Sequence, residues 1–176
     1  MGFLTSAIKA ELDADYRGAL RYYHKLAAQG SLLDRVGIFQ SIARCYEKLG
    51  SLKRAAKWHG RAGDGYMKLP NRVLGKQERA YYALVEYRGA LQDYMRGQLM
   101  RRAAKRYLNT LNICLKGGKE GYSHEMLFAA HLSAKIGLPK KAASFFKESA
   151  KQFEHEAKFE LAHETYTLAE YFSRKI

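Results

Sequence analysis

Proline is nearly absent from this chain, with 2 residues among 176. Because proline interrupts helices while alanine, leucine and glutamate enter them at little cost, the composition favours helices over sheets. No apolar run approaches the roughly 20 residues that a membrane-spanning helix needs. The hydrophobic fraction is nevertheless 47%, which excludes a disordered tail. The composition therefore predicts a helical protein that buries a sizeable core.

Cysteine is equally scarce. Cys45 and Cys114 form neither a Cys-x-x-Cys pair nor a disulfide framework, and each falls in an apolar helical run. Small buried cysteines without partners are typical of a reducing compartment. Met1–Leu12 also lacks the basic start and the sustained apolar core of a signal peptide. We therefore expect a cytoplasmic protein.

Acidic residues are few: 17 Asp and Glu stand against 31 Lys and Arg, which gives a net charge of +14. Residues 51–150 hold 20 basic and 7 acidic side chains, so +13 of the excess lies in that stretch. A regional excess favours an acidic partner for the middle of the chain. General solubility is the alternative interpretation.

The sequence contains internal repeats, each with the pattern of two helices. In the clearest repeat, apolar residues at i, i+3, i+4 and i+7 mark a first helix, and an alanine marks a second helix after a turn at Gly50. These positions are Phe39, Ile42, Ala43, Tyr46 and Ala55. Looser copies follow, and alanines at the equivalent place of the second helix are Ala19, Ala55, Ala103 and Ala142. We expect these alanines where helices approach closely.

This pattern resembles the tetratricopeptide repeat, although His59 stands where that family prefers an aromatic residue. The alanines are 36, 48 and 39 residues apart, whereas regular repeats step by about 34. Uneven spacing is more similar to the divergent solenoids of the SNAP vesicle-fusion adaptors. The resemblance implies an all-α, right-handed α-solenoid of about four helix pairs with a C-terminal capping helix. As one domain over 1–176, its units would be 1–30, 36–65, 78–116 and 123–154, with a cap at 156–174.

Two stretches depart from a regular array. Met1–Glu11 is too short and too weakly patterned to support a first helix on its own. Gly63-Asp64-Gly65 and Pro70-Asn71 predict a loop or a helix extension between the second and third units.

The resemblance implies that the first helix of each pair lines a concave groove. Polar residues offset from the packing positions should then project into this groove. A basic groove suits an acidic peptide or protein, held by charge-assisted hydrogen bonds. The predicted groove residues are Gln40, Arg44, Lys48, Arg88, Gln92, Arg96, His131 and Lys135.

The second helices carry further basic residues at spacings of one turn. Such stripes could follow the phosphates of a nucleic acid or of an anionic membrane, which is the alternative function. A solvated outer face is the simpler interpretation. The stripe residues are Lys53, Lys57, Arg61, Arg101, Arg102, Lys105 and Arg106.

Catalytic and metal-binding motifs find no support. Glu160 and His163 have the Glu-x-x-His spacing of di-iron bundles, but no second copy exists. Most of the 13 tyrosines are interpreted as core residues with a hydroxyl at the surface. We therefore expect a non-enzymatic binding scaffold with no cofactor and no metal site.

Overall fold

The structure, a computed structural model, describes residues 2–94 and 100–174, with the backbone alone at positions 94, 100 and 102. The predicted Arg96 lies outside the described residues. Within them the chain forms nine α-helices and no strand, which confirms the all-α prediction. The helices are α1 (Phe3–Leu12), α2 (Tyr16–Ala27), α3 (Leu32–Lys48), α4 (Leu52–Lys68), α5 (Lys76–Tyr94), α6 (Met100–Leu115), α7 (Ser123–Lys135), α8 (Pro139–His155) and α9 (Phe159–Ser173).

The chain divides into two compact units, Met1–Thr110 and Leu111–Ile176. In the first unit, consecutive helices pack against each other from α1 to α5. In the second unit, α7 packs against α8 and α8 against α9. Packing between neighbours along the chain is the arrangement of a helical-repeat solenoid. The grouping into four pairs and a cap within one domain stays a prediction.

Turns between helices fall at glycines, among them Gly50, where the sequence predicted a turn. Gly50, between α3 and α4, has φ of 68°, and Gly137, between α7 and α8, has φ of 78°. Side chains with a Cβ rarely adopt this left-handed conformation, so glycine ends these helices at little cost. Among the described residues, no helix is both long and apolar enough to cross a membrane.

Buried alanines allow the helices to approach closely. Ala19, Ala55 and Ala142 are fully buried, as the repeat pattern predicted. Ala103 is only half-buried, and its neighbour Ala104 is the fully buried alanine of α6. The repeat pattern is therefore displaced by one residue at α6.

The first helix forms although its sequence pattern is weak. Ala7 is its one buried residue, and it packs in a core cluster with residues of α2 and α3, among them Tyr23 and Ile42. The Tyr23 hydroxyl donates a hydrogen bond of 2.7 Å to Glu11. Burial and this acidic partner raise the pKa of Tyr23 to about 12. Packing against α2 thus stabilises α1, whose own sequence pattern is too weak to support a helix.

The glycines of α4 lie inside the helix, so of the two predicted alternatives, a loop or a helix extension, the structure shows the helix extension. A Cβ on Gly63 would lie 2.6 Å from the ring of Tyr87 in α5, and one on Gly65 would lie 2.5 Å from Val36 in α3. Tyr87 is 5% exposed, and its hydroxyl is held by Asp64 at 2.7 Å. Glycine therefore lets α4 approach both neighbours, and the turn begins only after Lys68.

We expect Gly63→Ala to lower the free energy of unfolding by about 1–3 kcal/mol, because the added methyl group displaces the fixed Tyr87 ring. Gly60 is the matched control in the same helix, since its added Cβ would meet only Arg106 at 3.8 Å. Gly60→Ala should raise stability by about 0.5–1 kcal/mol through helix propensity alone. Urea denaturation followed by circular dichroism measures both variants. Equal effects of the two substitutions would contradict the close approach at Gly63.

Candidate functional site

The predicted groove residues of α3 have different surroundings. Gln40 is half-buried and donates a hydrogen bond of 2.7 Å to Glu86 of α5. The Arg44 side chain is 54% exposed, lies 3.5 Å from Glu11 and donates to Ser41 at 3.1 Å. Lys48 is exposed at the end of the helix. Gln40 therefore joins two helices, whereas Arg44 and Lys48 face solvent.

The outward stripe of α5 combines apolar and polar residues. Tyr81, Val85, Arg88 and Gln92 are spaced by one or two helical turns and so share a face. Tyr81 is 50% exposed and Val85 is 51% exposed, and Gln92 is exposed as predicted. Arg88 is half-buried. We name Arg44 and Lys48 of α3 with these four residues the α3/α5 face.

A group of tyrosines adjoins this face. Tyr82 is 43% exposed, and its ring stacks on Tyr66 of α4 at a centroid distance of 5.2 Å. Tyr81 meets Tyr82 edge-on at 5.8 Å. Tyr66 also interacts with Gln40 of α3. Aromatic and polar side chains thus follow each other from α5 across α4 to Gln40 of α3.

Sequence reasoning missed these tyrosines because it interpreted most tyrosines as core. Helix periodicity could have found them: the buried residues Ala80, Ala83, Leu84 and Tyr87 fix the packed side of α5. Tyr81 and Val85 then lie on the other side of the helix.

The inner stripe of α5 meets a histidine. Tyr82, Glu86, Gly89 and Asp93 are again spaced by one or two turns, and they face α4 and α3. His59 of α4 lies against Gly89, where an added Cβ would be 3.3 Å from the imidazole ring. The missing side chain at Gly89 therefore leaves room for the ring.

Two carboxylates accept hydrogen bonds from His59. Its Nδ1 lies 2.8 Å from Oε2 of Glu86 in α5, and its Nε2 lies 3.1 Å from Oε1 of Glu47 in α3. The side chains of His59 and Glu86 are 13% and 8% exposed, whereas Glu47 is 40% exposed. Burial alone would lower the pKa of His59, but the hydrogen bonds and negative charges of Glu86 and Glu47 outweigh it and raise the pKa.

Asp93 completes this group, which we name the His59 junction: Glu47, His59, Glu86 and Asp93. One ligand atom each from Glu47, His59 and Asp93 lies within 4.8 Å of the others, so these three could hold a metal ion. Oδ2 of Asp93 is buried and has no hydrogen-bond partner among the described residues. Burial raises the pKa of Asp93 to about 6, with Glu47 adding to the rise and His59 opposing it.

The predicted groove residues of α7 belong to the second unit. His131 is exposed, and its ring meets Phe146 edge-on at 5.0 Å. Lys135 is exposed one turn further along. The same unit contains an open cleft of about 470 Å³, and its rim carries the ion pair between Lys119 and Glu148. That pairing lowers the pKa of Glu148, so the cleft offers no free charge at this point.

The predicted stripe residues are exposed wherever their side chains are described. On α4, Lys53, Lys57 and Arg61 are exposed, and Arg61 stacks over the ring of Trp58 at 4.3 Å. The structure does not describe the side chain of Arg102. The remaining residues, exposed on α6, are Arg101, Lys105 and Arg106.

Arg106 brings the two stripes together. Its guanidinium lies 3.1 Å from Asp64 of α4 and close to Gly60 of the same helix. The basic residues of α4 and α6 therefore adjoin, and we name Lys53, Lys57, Arg61, Arg101, Lys105 and Arg106 the α4/α6 basic surface.

Comparison with known proteins identifies a similar fold and no family. No family model matches the chain, and no curated protein matches it by sequence. Among solved structures, it is similar to BtubC (BKLC) from P. vanneervenii, with a TM-score of 0.52 and 11% sequence identity. The similarity covers 96% of this chain and 77% of that chain. At this identity the similarity concerns the fold alone, and function has to be argued from the surfaces.

We expect Asp93→Asn to raise the free energy of unfolding by roughly 1–2 kcal/mol at pH 8, because it removes a buried carboxylate without a hydrogen-bond partner. The pKa of Asp93, about 6, lies above its ordinary value of 3.8. The wild-type protein therefore loses stability as the pH rises from about 4 to about 6, and the cost is constant above that range. The advantage of the variant should accordingly vanish at pH 4.

Urea denaturation between pH 4 and pH 8, in buffer containing a chelator, measures this difference. Asp13→Asn is the control, since Asp13 is exposed at the end of α1. A stability gain for Asp93→Asn that is the same at pH 4 and pH 8 would show that its carboxylate is not buried as described.

Proposed function

We propose that this chain is a non-enzymatic protein-binding scaffold whose α3/α5 face binds a partner segment containing both acidic and apolar residues. The observation that carries the proposal is the exposure of Tyr81 and Val85 on the same helix face as Arg88. Single exposed apolar residues are ordinary on a protein surface, whereas grouped ones mark binding sites.

The chemistry of the face supports a protein ligand. Aromatic residues and arginine are enriched in the parts of interfaces that contribute most to affinity. Tyr81 and Tyr82 offer rigid apolar surface with a hydroxyl, and Arg44 can pair with a carboxylate through two parallel hydrogen bonds. Since the Arg44 contact with Glu11 is long and exposed, a partner carboxylate can replace it at little cost.

The resemblance to tetratricopeptide repeats adds to the proposal, because such repeats bind peptides along their first helices. The two free buried cysteines support a cytoplasmic location.

Selection of peptides from a displayed random library tests the ligand class. We expect enriched sequences to combine Asp or Glu with Leu, Phe or Tyr, because the face presents cations beside apolar surface. Tyr81→Ser and Val85→Ser should each weaken binding of a selected peptide about tenfold or more, measured by fluorescence polarisation. Arg44→Ala should weaken it less at high salt than at low salt, since an exposed pair is screened.

Tyr171→Ser is the matched control, because Tyr171 of α9 is also 50% exposed. It should leave affinity unchanged, and all variants should keep the wild-type melting temperature. Enrichment of basic peptides, or full affinity of the Tyr81 and Val85 variants, would exclude the α3/α5 face as the binding site.

A second candidate function is nucleic-acid binding through the α4/α6 basic surface. The ion pair of Arg106 with Asp64 supports it, because it gathers cations of two helices on one surface. An anionic membrane fits less well: among the described residues of α4 and α6, no large hydrophobic side chain is exposed. A helix that binds at a membrane surface needs such residues to insert between lipids.

Salt dependence distinguishes this second function from a solvated surface. Binding to phosphates releases counterions, so affinity for single-stranded RNA should fall by orders of magnitude between about 50 and 200 mM salt. A variant with Lys53, Lys57, Arg101 and Lys105 all changed to Ser should lose this binding while keeping the selected peptide. Filter binding or polarisation measures both. Weak RNA binding by the wild-type protein at about 50 mM salt would exclude the second function.

A further inference from the structure

We propose that the His59 junction is a zinc site, in which Nε2 of His59 and carboxylate oxygens of Glu47 and Asp93 bind one Zn²⁺ and Glu86 orients the imidazole. This site lies apart from the exposed residues of the α3/α5 face, and it does not depend on the proposed partner. No local sequence motif predicts it, because its donors come from three helices.

The positions of the donors carry the proposal. Ligand atoms of Glu47, His59 and Asp93 lie within 4.8 Å of one another, and the atoms of His59 and Glu47 are 3.1 Å apart. Donors around a tetrahedral zinc ion, with bonds of about 2.1 Å, are roughly 3.4 Å apart. Small side-chain adjustments therefore bring all three into range. Water can take the fourth position, because Glu47 is partly exposed.

The surroundings of His59 match those of a metal-binding histidine. Such a histidine donates its second ring N–H to a carboxylate or carbonyl, which fixes the ring and the tautomer. Nδ1 of His59 lies 2.8 Å from Glu86, and Glu86 is itself held by Gln40 at 2.7 Å. Nε2 then points toward Glu47 and is the nitrogen available to a metal ion.

Asp93 provides an independent observation. Its Oδ2 is buried without a hydrogen-bond partner among the described residues, an arrangement that costs stability in a protein that never fills the site. The ion pairs recorded for Glu47 and Glu86 in the described part of the chain are both with His59. Three carboxylates therefore surround one imidazole, and a divalent cation supplies the missing positive charge.

The donor set selects the type of ion. One imidazole with two carboxylates suits Zn²⁺ and similar transition metals, whereas Ca²⁺ and Mg²⁺ prefer oxygen donors alone. Zinc binding requires Nε2 of His59 to be free of its proton, so any proton that the empty site carries there passes to the buffer, and zinc affinity should fall as the pH is lowered.

Isothermal titration of the full chain with ZnCl₂, after removal of metal with a chelator, tests the proposal. We expect one Zn²⁺ per chain and a binding enthalpy that changes with the ionisation enthalpy of the buffer. Excess CaCl₂ or MgCl₂ should not compete. Zinc at about 100 times its dissociation constant should also raise the melting temperature by roughly 5–10 °C relative to EDTA.

Variants distinguish the site from adventitious binding. His59→Gln and Asp93→Asn should each weaken zinc binding by about 100-fold or more, and Glu86→Gln by about 10- to 100-fold. Asp93→Asn is the decisive variant, because it is expected to fold at least as stably as the wild type in EDTA. His163→Gln is the matched control: His163 is exposed on α9 beside Glu160 and Glu164, and its loss should change nothing.

Two results would overturn the proposal. Equal zinc affinity of the wild type and Asp93→Asn would place the metal elsewhere, as would loss of binding in His163→Gln. Absence of zinc binding up to about 1 mM, a concentration far above that of any functional zinc site, would show that the junction holds protons and not a metal. Neither result would affect the proposed peptide binding, which is measured separately in the presence of EDTA.

Discussion

The hydrogen bonds of His59 connect three helices, two of which also carry the residues of the α3/α5 face. The imidazole extends from α4 and meets Glu47 of α3 on one side and Glu86 of α5 on the other. Gln40 adds a second polar contact between α3 and α5. A buried carboxylate such as Glu86 is stable only with such partners, so loss of His59 would leave it with the Gln40 hydrogen bond alone, at a cost in stability. The junction therefore connects α3, α4 and α5.

Charge is distributed unequally between this junction and the rest of the chain. The protein carries +14 in total, yet its half-buried junction contains three carboxylates around one imidazole. The excess positive charge lies instead on exposed residues, many of them on α4 and α6. Exposed cations attract negative charges over a distance that salt limits. The carboxylates of the junction instead interact at short range with the protonated His59 or with a metal ion. The two charge groups are thus separate, one on exposed residues and one in the half-buried junction.

Much of the fold was predictable because helix periodicity encodes it. Phe39, Ile42, Ala43 and Ala55 are buried as their spacing predicted. The sequence left a loop and a helix extension open at Gly63, and only the position of Tyr87 shows why a glycine is needed inside the helix. The sequence showed His59 only as a polar residue at a position where the tetratricopeptide repeat prefers an aromatic one. It did not show which residues His59 contacts. Its partners Glu47, Glu86 and Asp93 are distant in sequence, and no local pattern joins them. Arg44, Lys48 and Gln92 are exposed, as predicted. That they line a binding groove stays a prediction.

The protonation of His59 is the most direct test of the junction. Nitrogen-15 NMR of the imidazole, followed in EDTA across a pH titration, reports whether each ring nitrogen carries a proton. If His59 lies between Glu86 and Glu47, the ring should lose its charge only above the ordinary pKa of histidine, because the two carboxylates raise its pKa. A ring that titrates at or below that ordinary pKa would contradict the arrangement of the His59 junction, from which the zinc site is inferred.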